Sequence, residues 1–234
     1  MILFKMTQKL TILFDLDGTL VDTAPDLMTA HNHVMKKFGY STRSVNEIRN
    51  LVGKGASVLI GRSIWGSAKK EFSKITDEKI KNEMVKEFIS FYGKNIVKDS
   101  KLIKGVLEFL KWAKSKNISM GVCTNKQEHL AIDLLKKIEI YDYFEYVAGG
   151  NTFEYCKPDP RHLTSIIEIM NGDIKKSLMI GDSENDADAA KSAGIPMILV
   201  EDGYTEKKIE QIYHNHLIKD FIGIEKIVSK YIND

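Results

Sequence analysis

Two aspartates, Asp15 and Asp17, follow an apolar run at 10–14 and have the spacing that metal and phosphate chemistry needs. Residues two apart at the end of an extended segment point to the same side of it. Because two unpaired acids are costly to bury, a cation or a shared proton is expected beside them. The next residue, Gly18, has no side chain and lets backbone amides approach an anion. The segment therefore predicts carboxylates that hold a metal next to a phosphate-binding turn.

The same segment allows a second interpretation and excludes a third. An Asp-Gly pair between apolar residues is typical of a hairpin turn, and that alternative stays open on these residues alone. An EF-hand loop needs an acid at its fifth position and glycine at its sixth. Counting from Asp15, these positions hold Thr19 and Leu20, so a calcium loop is excluded.

A hydroxyl, an amide and a lysine follow further along the chain. Thr124 and Asn125 come directly after the apolar run at 118–123, and strand ends in open α/β sheets are where ligands bind. The alternative is an ordinary helix N-cap, where both residue types are common. Lys157 precedes a Pro-Asp-Pro sequence, whose prolines stiffen the approach to a helix and would hold the lysine in place. A solvated surface lysine is the alternative there.

A second acid pair ends the series. Asp182 and Asp186 follow the apolar run at 178–180 and stand one helical turn apart. An EF-hand is excluded again, because Ala187 occupies the position where glycine is required. A simple N-cap beside the helix dipole remains an alternative for Asp182.

The acid pair, the threonine, the lysine and the second acid pair form an ordered set. With this set the chain resembles the haloacid dehalogenase-like phosphohydrolases, whose four motifs read here DLDGTLVD, CTN, KPDP and GDSEND. The resemblance extends over most of the chain. Within that superfamily the chain looks most like the phosphoglycolate phosphatase branch, on the segments 50–56, 189–196 and 200–204. Several sugar-phosphate phosphatases share this pattern, so the substrate stays open among them.

The resemblance implies a role for each motif residue. Asp15 would attack phosphorus and carry the phosphoryl group, while Asp17 would protonate the leaving oxygen and then accept a proton from water. Thr124 and Lys157 would hold the phosphate oxygens. Backbone amides would complete the phosphate cradle at three positions: Gly18, Thr19 and Asn125.

Mg2+ is the expected cofactor, since hard oxygen ligands and a phosphate substrate suit it. By resemblance, the side chains of Asp15 and Asp182 and the backbone carbonyl of Asp17 would bind the ion. Asp186 would either join these ligands or orient waters and Lys157 from behind them.

The inserted helices are expected to choose the substrate. Arg49, Lys54 and Arg62 lie near a glycine-bearing turn, and Lys54 is the preferred candidate for a substrate carboxylate. Their alternative is a solvated helix face. By resemblance, the second acid, Asp17, speaks against dehalogenation, and Gly181 before the later acid pair speaks against a phosphoglucomutase.

The expected partner is a small phosphorylated metabolite, with 2-phosphoglycolate favoured by resemblance. The alternative substrates are another sugar phosphate, a nucleotide and pyrophosphate. The alternative functions are a phosphotransferase and a phosphate-binding regulatory protein without catalysis. The chain is expected to be a monomer or a homodimer.

The order of elements predicts an α/β fold. Helices and strands alternate from residue 104 onward, which indicates a doubly wound parallel sheet, whereas residues 23–94 carry only helical periodicity. With the resemblance, this predicts a Rossmann-like core at 1–22 and 95–234 with an inserted all-helical cap at 23–94. The expected strands are 10–14, 118–123, 146–148, 178–180 and 197–200.

The cap is expected to contain four helices. Thr23 with Asp26 and Ser44 with Glu47 each have the spacing of a capping box. One helix face is expected to carry Leu27, Ala30, His31, Val34 and Phe38, with Gly39 at the helix exit. A third helix follows Gly55, and a fourth, after Thr76, places Ile80, Met84, Phe88 and Tyr92 along one side. In the core, His214-Asn215-His216 is interpreted as a surface turn rather than a metal site.

Composition favours an ordinary globular enzyme. The 234 residues are 43% hydrophobic and 28% charged, and the net charge of +2 favours neither nucleic acid nor a membrane as partner. Cys123 and Cys156 are expected to be reduced thiols of a cytoplasmic protein. No segment is long enough to span a membrane, and residues 1–5 are too short for a signal peptide core. Whether Met1 or Met6 begins the protein stays open.

Overall fold

The computed structural model describes residues 9–65 and 75–233, so Met1 and Met6 lie outside it. A parallel sheet of six strands has the order β5-β4-β1-β6-β7-β8, and β2 pairs with β3 in a separate antiparallel ribbon. The strands are β1 (Thr11–Phe14), β2 (Val21–Asp22), β3 (Lys101–Leu102), β4 (Ser119–Cys123), β5 (Tyr146–Ala148), β6 (Ser177–Gly181), β7 (Met197–Val200) and β8 (His216–Ile218).

Helices cover both faces of the sheet, which confirms the predicted α/β class. Ile12 and Phe14 of β1 belong to one buried cluster and Leu13 to another, because successive side chains of a strand point to opposite faces. The helices are α1 (Ala24–Lys37), α2 (Val45–Arg49), α3 (Ala56–Trp65), α4 (Ile75–Lys94), α5 (Val106–Ser115), α6 (Glu128–Lys137), α7 (Arg161–Ile169), α8 (Glu184–Ala193) and α9 (Glu225–Asn233). No helix in the described part of the chain is both long and apolar enough to cross a membrane.

The topology brings three strand ends together. The central strand β1 lies between β4 and β6 and runs parallel to both. The chain adds β4 and β5 on one side of β1 and then β6 to β8 on the other side. The order in which strands are added therefore reverses at β1. Ligands of open α/β sheets bind at such a point, outside the carboxyl ends of the strands. The residues that follow β1, β4 and β6 are Asp15, Thr124 and Asp182.

The four predicted helices between 23 and 94 are present. Among the residues described there, Met84, Phe88 and Tyr92 of α4 are buried, whereas Ile80 is 36% exposed and does not continue their face. The helix begins at Ile75, and the side chain of Thr76 lies outside the described part. The limits of a cap and a core, at 23–94 and on either side of it, stay a prediction.

One of the two predicted capping boxes is wrong. Ser44 and Glu47 form the expected reciprocal hydrogen bonds at the start of α2. Thr23 precedes α1 but donates its hydroxyl to Asp17 Oδ1 at 2.6 Å. Asp26 instead accepts from the backbone amides of residues 98–100 and from the hydroxyl of Ser100. Tertiary partners therefore take both side chains away from the helix terminus.

The sequence interpretation also missed three short strands. His216 opens β8, the outer strand beside β7, so the segment interpreted as a turn is in part a strand. β8 has only three residues, too few to show a strand periodicity in the sequence. The two-residue strands β2 and β3 are shorter still and lie on either side of the helical section.

Candidate active site

Three buried carboxylates and one ammonium meet at the carboxyl ends of β1 and β6. Oxygen atoms of Asp15, Asp182 and Asp186 all lie within 4.8 Å of one another. Lys157 Nζ donates to Asp15 Oδ1 at 2.8 Å and to Asp186 Oδ1 at 2.6 Å. Lys157 reaches them from the loop before α7, where the sequence predicted a fixed lysine. Asp15, the second acid pair and the lysine thus lie together.

Local backbone geometry fixes each acid. Asp186 lies in the first turn of α8 and accepts from the amide and hydroxyl of Ser183, the residue that caps this helix. The alternative interpretation of Asp182 as the N-cap is therefore wrong. Asp182 instead accepts from Thr19 Oγ1 at 2.9 Å and from the Tyr204 amide at 2.5 Å.

Glycine is required where the chain passes Asp182. Gly18 has a φ of +85°, in the left-handed region, and a Cβ at this position would overlap the Asp182 carboxylate. A Cβ at Gly203 would overlap the same side chain from the opposite loop. These two glycines allow two backbone segments to close around one carboxylate.

Burial and repulsion between neighbouring carboxylates raise the pKa values of Asp15 and Asp182. Burial raises the pKa of Asp15 to about 6, against the lowering effect of Lys157. Burial, with the charges of Asp15 and Asp186, also raises the pKa of Asp182 well above its usual range. Although burial lowers the pKa of Lys157, the charges of Asp15 and Asp186 raise it further, so the ammonium stays protonated. When all three carboxylates are ionised, one ammonium leaves the cluster with an excess of negative charge.

The residues present fit a divalent cation. Three carboxylates whose oxygens converge within 4.8 Å are the hard ligands that Mg2+ takes, and Lys157 is the one ammonium paired with them among the described residues. Asp15, Asp182 and Asp186 are the side chains that would hold such an ion.

The second acid of the first motif has a partner that the sequence did not indicate. Lys126 Nζ donates to both oxygens of Asp17, at 2.7 and 2.9 Å, and lies 4.6 Å from the centre of the Tyr92 ring. Thr23 donates to the same carboxylate. Lys126 is buried, although it carries a charge. Its only sequence signal is its place two residues after Thr124, at the end of β4.

Thr124 and Asn125 follow β4 as predicted. Thr124 is buried, and its hydroxyl accepts from the Lys126 amide at 3.2 Å. Asn125 donates from its side-chain amide to the carbonyl of Gly53, in the loop after α2, and to the carbonyl of Lys157. The asparagine therefore joins three loops around the site. The role of Thr124 as a phosphate ligand stays a prediction.

The backbone amides proposed for the phosphate cradle are partly engaged. The Gly18 amide donates to the carbonyl of Val21 at 2.8 Å, and the Thr19 amide donates to the carbonyl of Leu16 at 3.4 Å. Both bonds stabilise the turn after β1. The phosphate-binding role of Gly18 and Thr19 remains a prediction.

The three cap cations are paired with acids. Lys54 Nζ lies 3.3 Å from Glu184, and Arg62 pairs with Glu206. Arg49 Nη2 donates to Asp22 Oδ2 at 2.7 Å, and its guanidinium lies over the Tyr204 ring. The structure thus brings Lys54 beside the start of α8, and its role toward substrate stays a prediction.

A cavity opens beside Asp15 and Asp17, between the helices at 24–94 and the end of the sheet. Its walls are largely apolar, and Lys126 is the basic side chain among the described residues that line it. The buried thiol of Cys123 lies below the site, where burial raises its pKa, so it is a poor nucleophile. The apolar walls are Leu27, Val52, Leu59, Phe88 and Leu130.

Known proteins show the same organisation. The sequence model of the family described as haloacid dehalogenase-like hydrolase matches residues 12–200. A crystal structure described as a predicted phosphoglycolate phosphatase from Haemophilus somnus 129pt is similar, with a TM-score of 0.85 and 32% identity. That comparison covers 95% of this chain and 99% of the other.

Two curated relatives are similar along nearly their whole length. The chain is 38% identical over 223 residues to the phosphoglycolate phosphatase of Agrobacterium fabrum, which covers 93% of this chain and 94% of that protein. It is 36% identical over 216 residues to the phosphoglycolate phosphatase of Caulobacter vibrioides, with 92% and 89% covered.

Proposed function

Because this chain belongs to the haloacid dehalogenase-like hydrolases, we propose that it is a Mg2+-dependent phosphatase whose substrate is 2-phosphoglycolate. The observation that carries the chemistry is the contact of Lys157 with both Asp15 and Asp186 beside the buried Asp182. The substrate is supported by the relatives in Agrobacterium fabrum and Caulobacter vibrioides, which are named phosphoglycolate phosphatases.

The reaction begins at Asp15. Its carboxylate attacks phosphorus, the bond between phosphorus and the glycolate oxygen breaks, and the phosphoryl group stays on Asp15 as an acyl phosphate. Lys157, 2.8 Å from Asp15, offsets the repulsion between this carboxylate and the phosphate dianion. When bound, Mg2+ supplies further positive charge at the three carboxylates.

Asp17 moves the protons. Its carboxylate accepts hydrogen bonds from Lys126 and Thr23. It must gain a proton, which we propose arrives with the bound phosphate, before it can give one to the leaving glycolate oxygen. Asp17 then takes a proton from the water that attacks the acyl phosphate, and inorganic phosphate is released.

Location and assembly complete the proposal. Two free cysteines, Cys123 and Cys156, are in keeping with a cytoplasmic enzyme, since reducing compartments maintain thiols. A monomer or a homodimer is the proposed assembly.

The test is phosphate release from 2-phosphoglycolate in the presence and absence of Mg2+, beside sugar phosphates, nucleotides and pyrophosphate. We expect kcat/KM to be highest for 2-phosphoglycolate and Asp15→Asn to lower kcat by about 10³-fold or more. Asp173→Asn is the matched control, because Asp173 precedes β6 at the opposite end of that strand from the site. Equal rates for all esters would refute the substrate, and an active Asp15→Asn enzyme would refute the nucleophile.

A further inference from the structure

Lys126 is placed for a second task besides its contact with Asp17. Among the described residues that line the cavity beside the acids, it is the only lysine or arginine. Its ammonium has three N–H donors. The two oxygens of Asp17 accept hydrogen bonds from this ammonium, at 2.7 and 2.9 Å. In the described part of the chain no other carboxylate pairs with it. One donor of a charged group that lines the cavity is thus available to a ligand.

The same corner holds a polar group that lacks a partner. The hydroxyl of Tyr92 is buried and has no hydrogen-bond partner among the described residues. It belongs to the ring over which Lys126 lies, and Tyr92 lines the same cavity. Because a buried hydroxyl without a partner costs free energy, a ligand that accepts its hydrogen bond would be favoured.

The surroundings favour a compact anion over a sugar. The remaining walls include Leu27, Leu59 and Phe88, which offer no hydrogen bonds to the hydroxyls of a sugar ring. A low-dielectric wall strengthens the attraction between an ammonium and an anion. A small ligand with one carboxylate therefore suits this corner better than a polyhydroxylated one.

Covalent geometry connects this corner to the reaction. In the proposed mechanism Asp17 gives its proton to the oxygen that links phosphorus to the rest of the substrate. In 2-phosphoglycolate a single methylene separates that oxygen from the carboxylate. Lys126 contacts Asp17 directly, so its ammonium is within reach of a carboxylate one methylene beyond the leaving oxygen.

We propose that Lys126, together with the Tyr92 hydroxyl, binds the carboxylate of the substrate and so selects 2-phosphoglycolate over neutral phosphate esters. This inference rests on the proposed function and names the residues that read its substrate. It assigns to a residue just after β4 the role that was predicted from the sequence for Lys54. Lys54 pairs with Glu184 and does not line the cavity among the described residues.

The experiment compares 2-phosphoglycolate with its amide, which has the same size and no carboxylate charge. The readout is the ratio of kcat/KM for the acid to kcat/KM for the amide. We expect Lys126→Met to lower this ratio by about 10- to 100-fold, the range for one lost hydrogen bond to a charged group. The change should lie mainly in KM for the acid. Any effect that Lys126 exerts through Asp17 applies to both substrates and cancels in the ratio.

Further variants keep the test decisive. Lys126→Arg should retain most of the ratio, and Tyr92→Phe should lower it while leaving the ring and its packing in place. Tyr92→Phe decides the matter if Lys126→Met does not fold. Lys136→Met is the matched control, because Lys136 also lies over a tyrosine ring, that of Tyr141, but does not line the cavity.

The outcomes separate the inference from the proposed function. Wild-type enzyme that prefers the acid, with an unchanged ratio in Lys126→Met and Tyr92→Phe, would overturn the inference and leave the function intact. A ratio that falls in Lys54→Met instead would also overturn it. Wild-type enzyme that hydrolyses the amide as well as the acid would overturn the proposed substrate itself.

Discussion

At the scale of single residues, the site holds more acidic than basic side chains. Lys157 is the one ammonium paired with the cluster of Asp15, Asp182 and Asp186 among the described residues. Breaking a buried pair strongly destabilises a protein, whereas an additional opposite charge relieves such a cluster. In the protein without metal, repulsion between these carboxylates should therefore lower the stability. The pH dependence of the free energy of unfolding measures this effect.

The first prediction concerns Asp15→Asn in a chelating buffer. The pKa of Asp15 is raised by burial to about 6 from an ordinary value of 3.8, so the stability from its protonated form is present below 3.8 and is lost as pH rises through 6. The neutral asparagine does not titrate. We expect the variant's free energy of unfolding to rise relative to wild type by about 2 kcal/mol between pH 4 and 7. Urea unfolding at each pH measures this difference.

Mg2+ is the internal control for that prediction. It should stabilise wild type at pH 7 by about 2.7 kcal/mol when present at 100 times its dissociation constant, and stabilise Asp15→Asn less. The gain should shrink near pH 5, since the ligand carboxylates must be ionised. A difference between variant and wild type that narrows as pH rises would show that the cluster has no excess negative charge.

At the scale of secondary-structure elements, one tyrosine connects the core sheet to the first inserted helix. Tyr204, after β7, donates its hydroxyl to Asp22 Oδ1 at 2.7 Å and accepts from the Ala24 amide at 2.8 Å. Arg49 of α2 binds the other oxygen of Asp22 and lies over the same ring. The phenol of Tyr204 therefore bridges the end of β2 and the start of α1, beside the ion pair of Arg49 with Asp22.

The second prediction follows from this arrangement. Tyr204→Phe removes both hydrogen bonds and leaves the Ala24 amide only the longer one, to Asp22 Oδ1 at 3.4 Å. We expect the free energy of unfolding to fall by about 1–3 kcal/mol, the range for two lost hydrogen bonds. Urea denaturation measures it. Tyr213→Phe is the matched control, because its hydroxyl makes one exposed bond, to Asn215. Equal losses in the two variants would show that Tyr204 does not hold this passage.

The same scale explains which elements the sequence could predict. β1, β4 and β6 are buried throughout, and a polar residue follows each of them. Apolar runs therefore indicated the sheet, and the residues after these runs indicated the site. Ser44 is exposed to solvent, where no tertiary partner competes, and its capping box formed as predicted. Thr23 has the same spacing to its acid but lies beside Asp17, and the tertiary bond prevailed.

Lys126 shows the limit of sequence reasoning about the site. A lysine side chain is most often solvated, and the residues next to Lys126 in the sequence do not indicate that it is buried. Its importance comes from Asp17 and Tyr92, which are far from it in sequence and meet it only in the fold. The acids were predictable because their spacing repeats a chemical requirement, whereas this contact depends on how α4 packs against the strand ends.

At the scale of the whole molecule, one buried hydrophobic cluster joins the inserted helices to the sheet. It includes Met84 and Tyr92 of α4 as well as Phe14 of β1 and Phe109 of α5. Phe14 packs edge-on against Phe109, with ring centres 6.1 Å apart. Segments that share a continuous core lose it together, so separate unfolding of the two regions would expose apolar surface on both.

The third prediction is a single cooperative unfolding transition, which the two tryptophans of the chain can test. Trp65 is in α3, among the inserted helices, and Trp112 is in α5, beside the sheet. In Trp112→Phe the fluorescence reports on the inserted helices, and in Trp65→Phe it reports on the core. We expect each variant's fluorescence curve in urea to coincide with its own far-UV circular dichroism curve. Comparison within each variant removes any difference in stability between them. A Trp65 signal that changes at lower urea than the circular dichroism would mean that the inserted helices unfold alone, and the proposed division at 23–94 would then be a division in stability as well.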